Sequence, residues 1–139
     1  MIQQKGATIQ VDVLPAIDGI PILMHQLFYN ILQNALKFAK ETEAPAIHIS
    51  STTFTNDLGI PHAQICIRDN GIGFDEQYAN RIFETFARLH QTARYEGTGL
   101  GLALCKKIVE RHGGTITAKG TKNEGAEFSI ILPITKPGP

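Results

Sequence analysis

The sequence carries no surplus of charge, almost no cysteine and no long apolar run, and each shortage removes a class of function. Thirteen basic residues balance thirteen acidic ones, so nothing suggests a polyanion such as nucleic acid as partner. Cys66 and Cys105 are the only cysteines. They fall in an expected strand and an expected helix without metal-ligand spacing, which reads as two reduced packing residues of a protein inside the cell. No stretch approaches the roughly 18 apolar residues of a membrane span, and the opening MIQQKGATIQ lacks the apolar centre of a signal peptide, so no direct membrane contact is expected. Internal repeats and low-complexity tracts are lacking too. What remains is a chain of 139 residues, 42% apolar and 19% charged, enough for one domain around one core. Its abrupt start on a strand-like segment suggests a piece of a larger protein.

The most informative stretch is Met24 to Lys40, MHQLFYNILQNALKFAK. At about 100° per residue, Gln26, Asn30, Gln33, Asn34, Lys37 and Lys40 share one arc, and leucine, isoleucine, alanine and phenylalanine fill the other side, with His25 as a packed imidazole among them. Solvated helix faces favour Glu and Lys, and each mid-helix Asn gives up roughly 0.5 kcal/mol relative to Ala. Two asparagines one turn apart therefore read either as an ordinary polar face or as neutral oxygen and amide groups turned toward a metal and phosphates. Ala44-Pro45 is the expected stop.

Before this helix, Ala7 to Val13 alternates as a half-buried strand, with Ala7, Ile9, Val11 and Val13 on one side. After it, Ile47 to Thr55 and the run His62 to Arg68 form an expected antiparallel hairpin with Ala63, Ile65 and Ile67 inward. Two residues further, the same parity aims Asp69 at the core side of the sheet, where a carboxylate needs a hydrogen-bond donor from the protein or a ligand. Asn70-Gly71-Ile72-Gly73 follows, where two glycines permit a sharp turn and a close approach. Asp75 is the expected N-cap of a short helix to Phe83, and Glu84 to Glu96 reads as a long loop. Gly97-Thr98-Gly99-Leu100-Gly101 then runs into LALCKKIVERH, a helix with Leu100, Leu104 and Ile108 in register, ended by Gly113-Gly114. A glycine-rich entry to a helix is an anion site in waiting, though it has neither the Walker nor the dinucleotide spacing. A hairpin from Thr115 to Lys119 and Ala126 to Leu132 closes the chain. Helices should cover one face of a mostly antiparallel sheet, an α+β architecture.

In order along the chain, Asn30 and Asn34, then Asp69 to Gly73, then Phe83 and Phe86, then Gly97 to Gly101 resemble the asparagine, first glycine, phenylalanine and second glycine boxes of the ATP-binding domain of sensor histidine kinases. QLFYNILQNALKF and RIFETFARLH look most like its phytochrome-like and PAS-linked branch. The resemblance implies the Bergerat fold, a two-layer α/β sandwich of a mixed sheet and helices, with ATP held between helices and a mobile lid. It implies that Asn34 coordinates Mg²⁺, that Asn30 lies near the phosphates and that Lys37 neutralises their charge. Asp69 would accept a hydrogen bond from the adenine amine, and Gly71 and Gly73 would give the base room. Phe83 and Phe86 would anchor the lid, Arg88 would reach the γ-phosphate, and the segment Thr98, Gly99, Leu100, Gly101 and Leu102 would bind the phosphate tail. Related ATPases carry a water-activating glutamate where this chain has Asn30, and an amide is no general base, so phosphoryl transfer suits the site better than hydrolysis. None of the five histidines has the context of the family's phosphoacceptor. Residues 1–139 are thus expected to be a lone catalytic domain, monomeric and cytoplasmic, whose acceptor histidine sits on an upstream dimerisation domain of the parent kinase, with a response regulator beyond it. A serine kinase acting on a sigma factor's regulator and a nucleotide-sensing module are the other readings.

Overall fold

A computed structural model gives the architecture and describes residues 6–14, 17, 19–79, 81–84 and 101–134. Five strands, β1 (Thr8–Val11), β2 (Ala46–Thr55), β3 (Pro61–Asp69), β4 (Thr115–Thr121) and β5 (Gly125–Pro133), form one sheet in the order β1-β2-β3-β5-β4. β1 runs parallel to β2, and every other pairing is antiparallel. Helices α1 (Pro21–Lys37) and α2 (Gly101–Arg111) lie together on one face.

The core forms where the alternation of the strands meets the apolar arcs of the helices. Ile49, Ile67, Phe128 and Ala118 stand in one cross-strand row, and Ile65, Ile130 and Ile116 in the next. All are buried, against Leu27, Ile31, Ala35 and Leu36 of α1 and Ala103, Cys105, Ile108 and Val109 of α2. The opposite face carries the row His48, Arg68, Glu127 and Lys119, with an Arg68–Glu127 ion pair at 3.1 Å. One face of the sheet is therefore apolar and the other mostly polar, and a slip of one residue would exchange the two.

α1 begins three residues earlier than its periodicity suggests, because Pro21 occupies the first helical position, where a missing N–H costs nothing. Its N-cap, Ile20, has no capping side chain. The end is held from α2 instead: Ile20 N–H donates to His112 Nε2 at 3.0 Å, and the other ring nitrogen of His112 lies 2.8 Å from the Ile108 carbonyl. α1 also ends earlier, at Lys37 rather than at Ala44-Pro45, because the Phe38 carbonyl is claimed by the Ile72 N–H at 2.9 Å. Lys40 thus lies off the helix and pairs with Glu43 at 3.1 Å. His25, expected inside, is exposed and stacks on Tyr29; it sits at the margin of the apolar arc, in a turn that the rest of the fold leaves uncovered.

The first strand is shorter than its alternation. Pairing with β2 runs from Thr8 to Val11; Val11, at its last rung, and Val13 beyond it are exposed, while Ala7 and Ile9 pack on the core. Asp75 does cap, accepting from Gln77 N–H, but the element is a 3-10 turn, Glu76–Tyr78, rather than a helix to Phe83. α2 ends as expected: Gly113 has φ +77°, Gly113 N–H bonds Glu110 and Gly114 N–H bonds Val109, the Schellman arrangement that only a left-handed residue closes. Leu104, expected in the apolar register of α2, is exposed, since the inward stripe runs through Cys105, Ile108 and Val109.

Candidate functional site

Three segments that are distant in sequence meet along the polar arc of α1. Midway along the helix, Asn30 Nδ2 donates to the carbonyl of Gly101, the first residue of α2, at 3.4 Å, and its Oδ1 accepts from Gln26 Nε2 at 2.7 Å. At the end of the helix, the Phe38–Ile72 bond docks the Asp69–Gly73 loop. Between these two points stand Asn34 and Lys37, half-buried and exposed respectively. The Asn34 side chain has no hydrogen-bond partner among the described residues. The Lys37 ammonium lies 5.4 Å from the Phe38 ring centre and is otherwise open to solvent.

Asp69 occupies the core-facing row of the sheet that the strand parity predicts, beside Ile47 and Ala126. Burial pushes its carboxyl above the ordinary value, opposed by backbone hydrogen bonds from Gly71 and Ala126. The Gly71 N–H reaches Oδ1 at 2.8 Å, so the donor that the sequence demands comes at least in part from the loop itself. The neighbouring Asn70 serves the scaffold: its side chain accepts from Ala46 N–H at 2.8 Å and donates to the Ala44 carbonyl at 3.2 Å, tying the loop to the start of β2.

The two loop glycines make a close approach, but to protein. A Cβ on Gly71 would stand 2.6 Å from the Phe38 carbonyl oxygen, and one on Gly73, at φ +64°, 2.2 Å from that of Thr121. Their smallness lets the loop lie between the end of α1 and the turn from β4 to β5, where Asn123 N–H bonds the Ile72 carbonyl at 2.7 Å. Gly101 is different: nothing among the described residues lies within 4 Å of a Cβ there. Phe83 is buried in the core, edge-on to Phe128 with ring centres 6.2 Å apart, and Leu102 packs partly against the same core. Phe86, Arg88, Thr98, Gly99 and Leu100 lie outside the described residues.

Sequence reasoning put Gln26 on the polar arc without giving it a role, although an amide pair at i, i+4 is a known helix contact. Cys105, read from the sequence as a packing residue, is one: it is fully buried between the helices, its sulfur 3.7 Å from the Leu27 carbonyl. Burial pushes its thiol up to about 12, with the Asn30 side chain the leading opposing contact. A cavity of about 350 Å³ opens on the other side of α1, lined by Leu14, Ile17, Gly19, Pro21, Met24, Phe28 and Ile65. Among the described residues its lining offers no charged group.

The donor set suits a hard cation that keeps most of its ligands from elsewhere. Among the described residues no three His, Cys, Asp or Glu side chains gather into a metal cage. The Asn34 amide, without a partner among the described residues, would offer one neutral oxygen, the kind of single contribution that Mg²⁺ accepts when phosphates and water fill the remaining positions. No helix among the described residues is long and apolar enough to cross a membrane.

Comparison with known proteins gives a consistent picture. Residues 19–136 match the model of the histidine kinase-, DNA gyrase B- and HSP90-like ATPase family. Cyanobacterial phytochrome A of Nostoc sp. is 43% identical over 133 residues, which is 96% of this chain and 17% of that protein. This chain therefore spans only a small part of such relatives. Among solved structures, the mycobacterial sensor histidine kinase MprB superposes with a TM-score of 0.77 at 27% identity, over 94% of this chain and 86% of that one. Full-length ShkA in complex with AMPPNP gives 0.76 at 28% identity, over 99% of this chain and 28% of that one.

Proposed function

Since this chain belongs to the histidine kinase-, DNA gyrase B- and HSP90-like ATPase family, we propose that it binds Mg·ATP along the polar arc of α1 and donates the γ-phosphoryl group to a histidine on a separate dimerisation domain, from which a response regulator then takes it. The observation that carries this reading is the meeting of α1 with the Asp69–Gly73 loop at Phe38 and with the start of α2 at Asn30. Three boxes with no common reason to be near one another become one rim.

Each residue of the rim has a task in the proposal. Asp69 accepts from the exocyclic amine of adenine; guanine offers a carbonyl there, and two facing acceptors repel. Asn34 gives its amide oxygen to Mg²⁺, and Lys37, one turn on, faces phosphate charge. The cation supplies charge neutralisation on the phosphates. The backbone N–H groups from Thr98 to Leu102 and the Arg88 guanidinium complete the phosphate contacts, with Phe83 and Phe86 seating the segment that carries Arg88. Asn30, an amide whose two ends already hold Gln26 and Gly101, cannot take a proton from water. Phosphoryl transfer asks mainly for positioning and charge neutralisation, so the site is suited to a protein nucleophile.

The test is a calorimetric titration of the chain with Mg·ATP and Mg·GTP, with released phosphate assayed in the same samples. Binding of ATP over GTP with negligible release supports a kinase domain awaiting its histidine. Steady release moves the chain toward the ATPases, and absence of binding removes the proposal. Addition of a dimerisation domain carrying a histidine then reads transfer directly, and Arg88→Ala should lower that transfer while leaving ADP affinity nearly unchanged.

A further inference from the structure

We infer that Gln26 is a positioning residue of the nucleotide site, acting on Mg·ATP only by holding the amide of Asn30 in one of its two orientations. The inference rests on the nucleotide reading above and adds a residue to it. The polarity of the chain of bonds is dictated from one end. The Gly101 carbonyl can only accept, so the atom of Asn30 that faces it at 3.4 Å is Nδ2. Oδ1 must then face Gln26, and the glutamine must answer with its own NH2, as the short 2.7 Å contact shows. Both amides are half-buried. An amide on an ordinary solvent face turns over freely, whereas this one is fixed at both ends. Beneath it the buried Cys105 sulfur bonds the Leu27 carbonyl at 3.7 Å, and its raised ionisation keeps it a neutral wall.

The consequence for the site lies in which atom stays available. An amide oxygen has two acceptor positions and the NH2 has none. With Gln26 on one side of Oδ1, the second lone pair remains for a proton donor such as a cation's water. Loss of the Gln26 donor leaves the Asn30 amide held by the longer 3.4 Å contact to Gly101 alone, so that it swings more freely and holds Oδ1 less firmly in place. Gln26→Glu goes further at constant size, since it sets acceptor against acceptor at 2.7 Å and drives Oδ1 away.

The measurement is a double-mutant cycle read by calorimetry with Mg·ATP, using Gln26→Met, Asn30→Ala and the pair, with denaturant unfolding of each variant alongside. Gln26→Met should weaken Mg·ATP about fivefold in the wild-type background, the factor of a single hydrogen bond, and change it by less than about twofold when Asn30 is already Ala. The Asn30 side-chain amide protons should exchange with water faster in Gln26→Met and in Gln26→Glu than in the wild type, a readout independent of nucleotide. Equal losses in both backgrounds, no loss in the wild-type background, or unchanged Asn30 amide exchange would each overturn the inference. Failure of the wild-type chain to bind Mg·ATP would instead remove the nucleotide reading itself, and is recognised before any variant is made.

Discussion

Asp69 and Gly71 secure one another: the glycine N–H donates to Asp69 Oδ1 at 2.8 Å, and the absent Cβ of Gly71 would lie 3.0 Å from that same oxygen. The pair is a small device for keeping a charged acceptor on the oily face of a sheet. Its cost is written in the carboxyl, which burial lifts above the ordinary value of 3.8.

Asp69→Asn should therefore separate stability from function. A folded-state value raised above the unfolded one means that the contribution of Asp69 to stability is complete below the ordinary carboxylate value and is lost as pH rises through the raised value. The Asn variant should gain on the wild type across that window, melting at higher temperature near neutral pH and with no advantage in acid. Affinity for ATP should fall about tenfold or more, the cost of a hydrogen bond to a charged acceptor. Thermal melts across the acid range, paired with nucleotide titrations, check both halves. Equal ATP affinity would remove the adenine assignment.

Asn34→Ala should show the same opposition on a helix. The side chain holds no partner among the described residues, and alanine is the better helix former, so unfolding free energy should rise by about 0.5 kcal/mol. The Mg²⁺ dependence of ATP binding should flatten. Titrations with and without chelator read this, and a variant that loses stability would show that the amide serves the fold.

The glycines should divide into two kinds. Gly73→Ala sets a methyl group against the Thr121 and Gly125 carbonyls at a positive φ, and should cost about 3 kcal/mol or more, between backbone strain and the collision. Gly101→Ala meets nothing among the described residues and should unfold within about 0.5 kcal/mol of the wild type. Any effect of Gly101→Ala on nucleotide affinity then reports on the phosphate contacts and not on folding. Denaturant midpoints of the two variants give the answer.

Cys105 should govern part of the alkaline limit of stability. Its thiol is held up at about 12 in the fold against an ordinary 9.0, so its contribution is complete below the ordinary value and is lost between the two, at up to about 1.4 kcal/mol per pH unit. Cys105→Ala should lower stability at pH 7 by about 1 to 2 kcal/mol through the lost packing, yet decline less steeply above pH 9. Iodoacetamide should label the half-buried Cys66 and spare Cys105 until the chain is unfolded. Labelling of both in the native protein would contradict this packing.

Much of this was legible in the residues, and the misses share a cause. The alternation of Ala63, Ile65 and Ile67 placed Asp69 correctly, because the pleat of a strand carries its parity through any sequence. The face of α1 was equally plain, but its ends were not: the start is held by His112 and the finish by Ile72, partners remote in sequence and invisible to a local pattern. His25 and Leu36 point within about 20° of each other, yet one is exposed and the other 3% exposed. Periodicity gives direction, and cover depends on what the rest of the chain brings there. The two box glycines were read correctly as sites of close approach, but the atoms of the fold that stand there, the Phe38 carbonyl and the Asp69 carboxylate at Gly71 and the Thr121 and Gly125 carbonyls at Gly73, were not legible. The parallel pairing of β1 and the bond from Asn30 to Gly101 left no local trace either.

The antiparallel part of the sheet is two local hairpins, β2 with β3 and β4 with β5, joined along the seam between β3 and β5, whose partners stand more than fifty residues apart and end at Asp69 opposite Ala126. Hairpins close quickly, while a seam between distant strands must first meet the entropy of a long loop. The carboxylate proposed to read adenine sits at the last rung of that seam. A refolding chain should thus gain its taste for ATP in its slowest kinetic phase, and a fluorescent nucleotide added during refolding would act as a clock for the joining of the two halves.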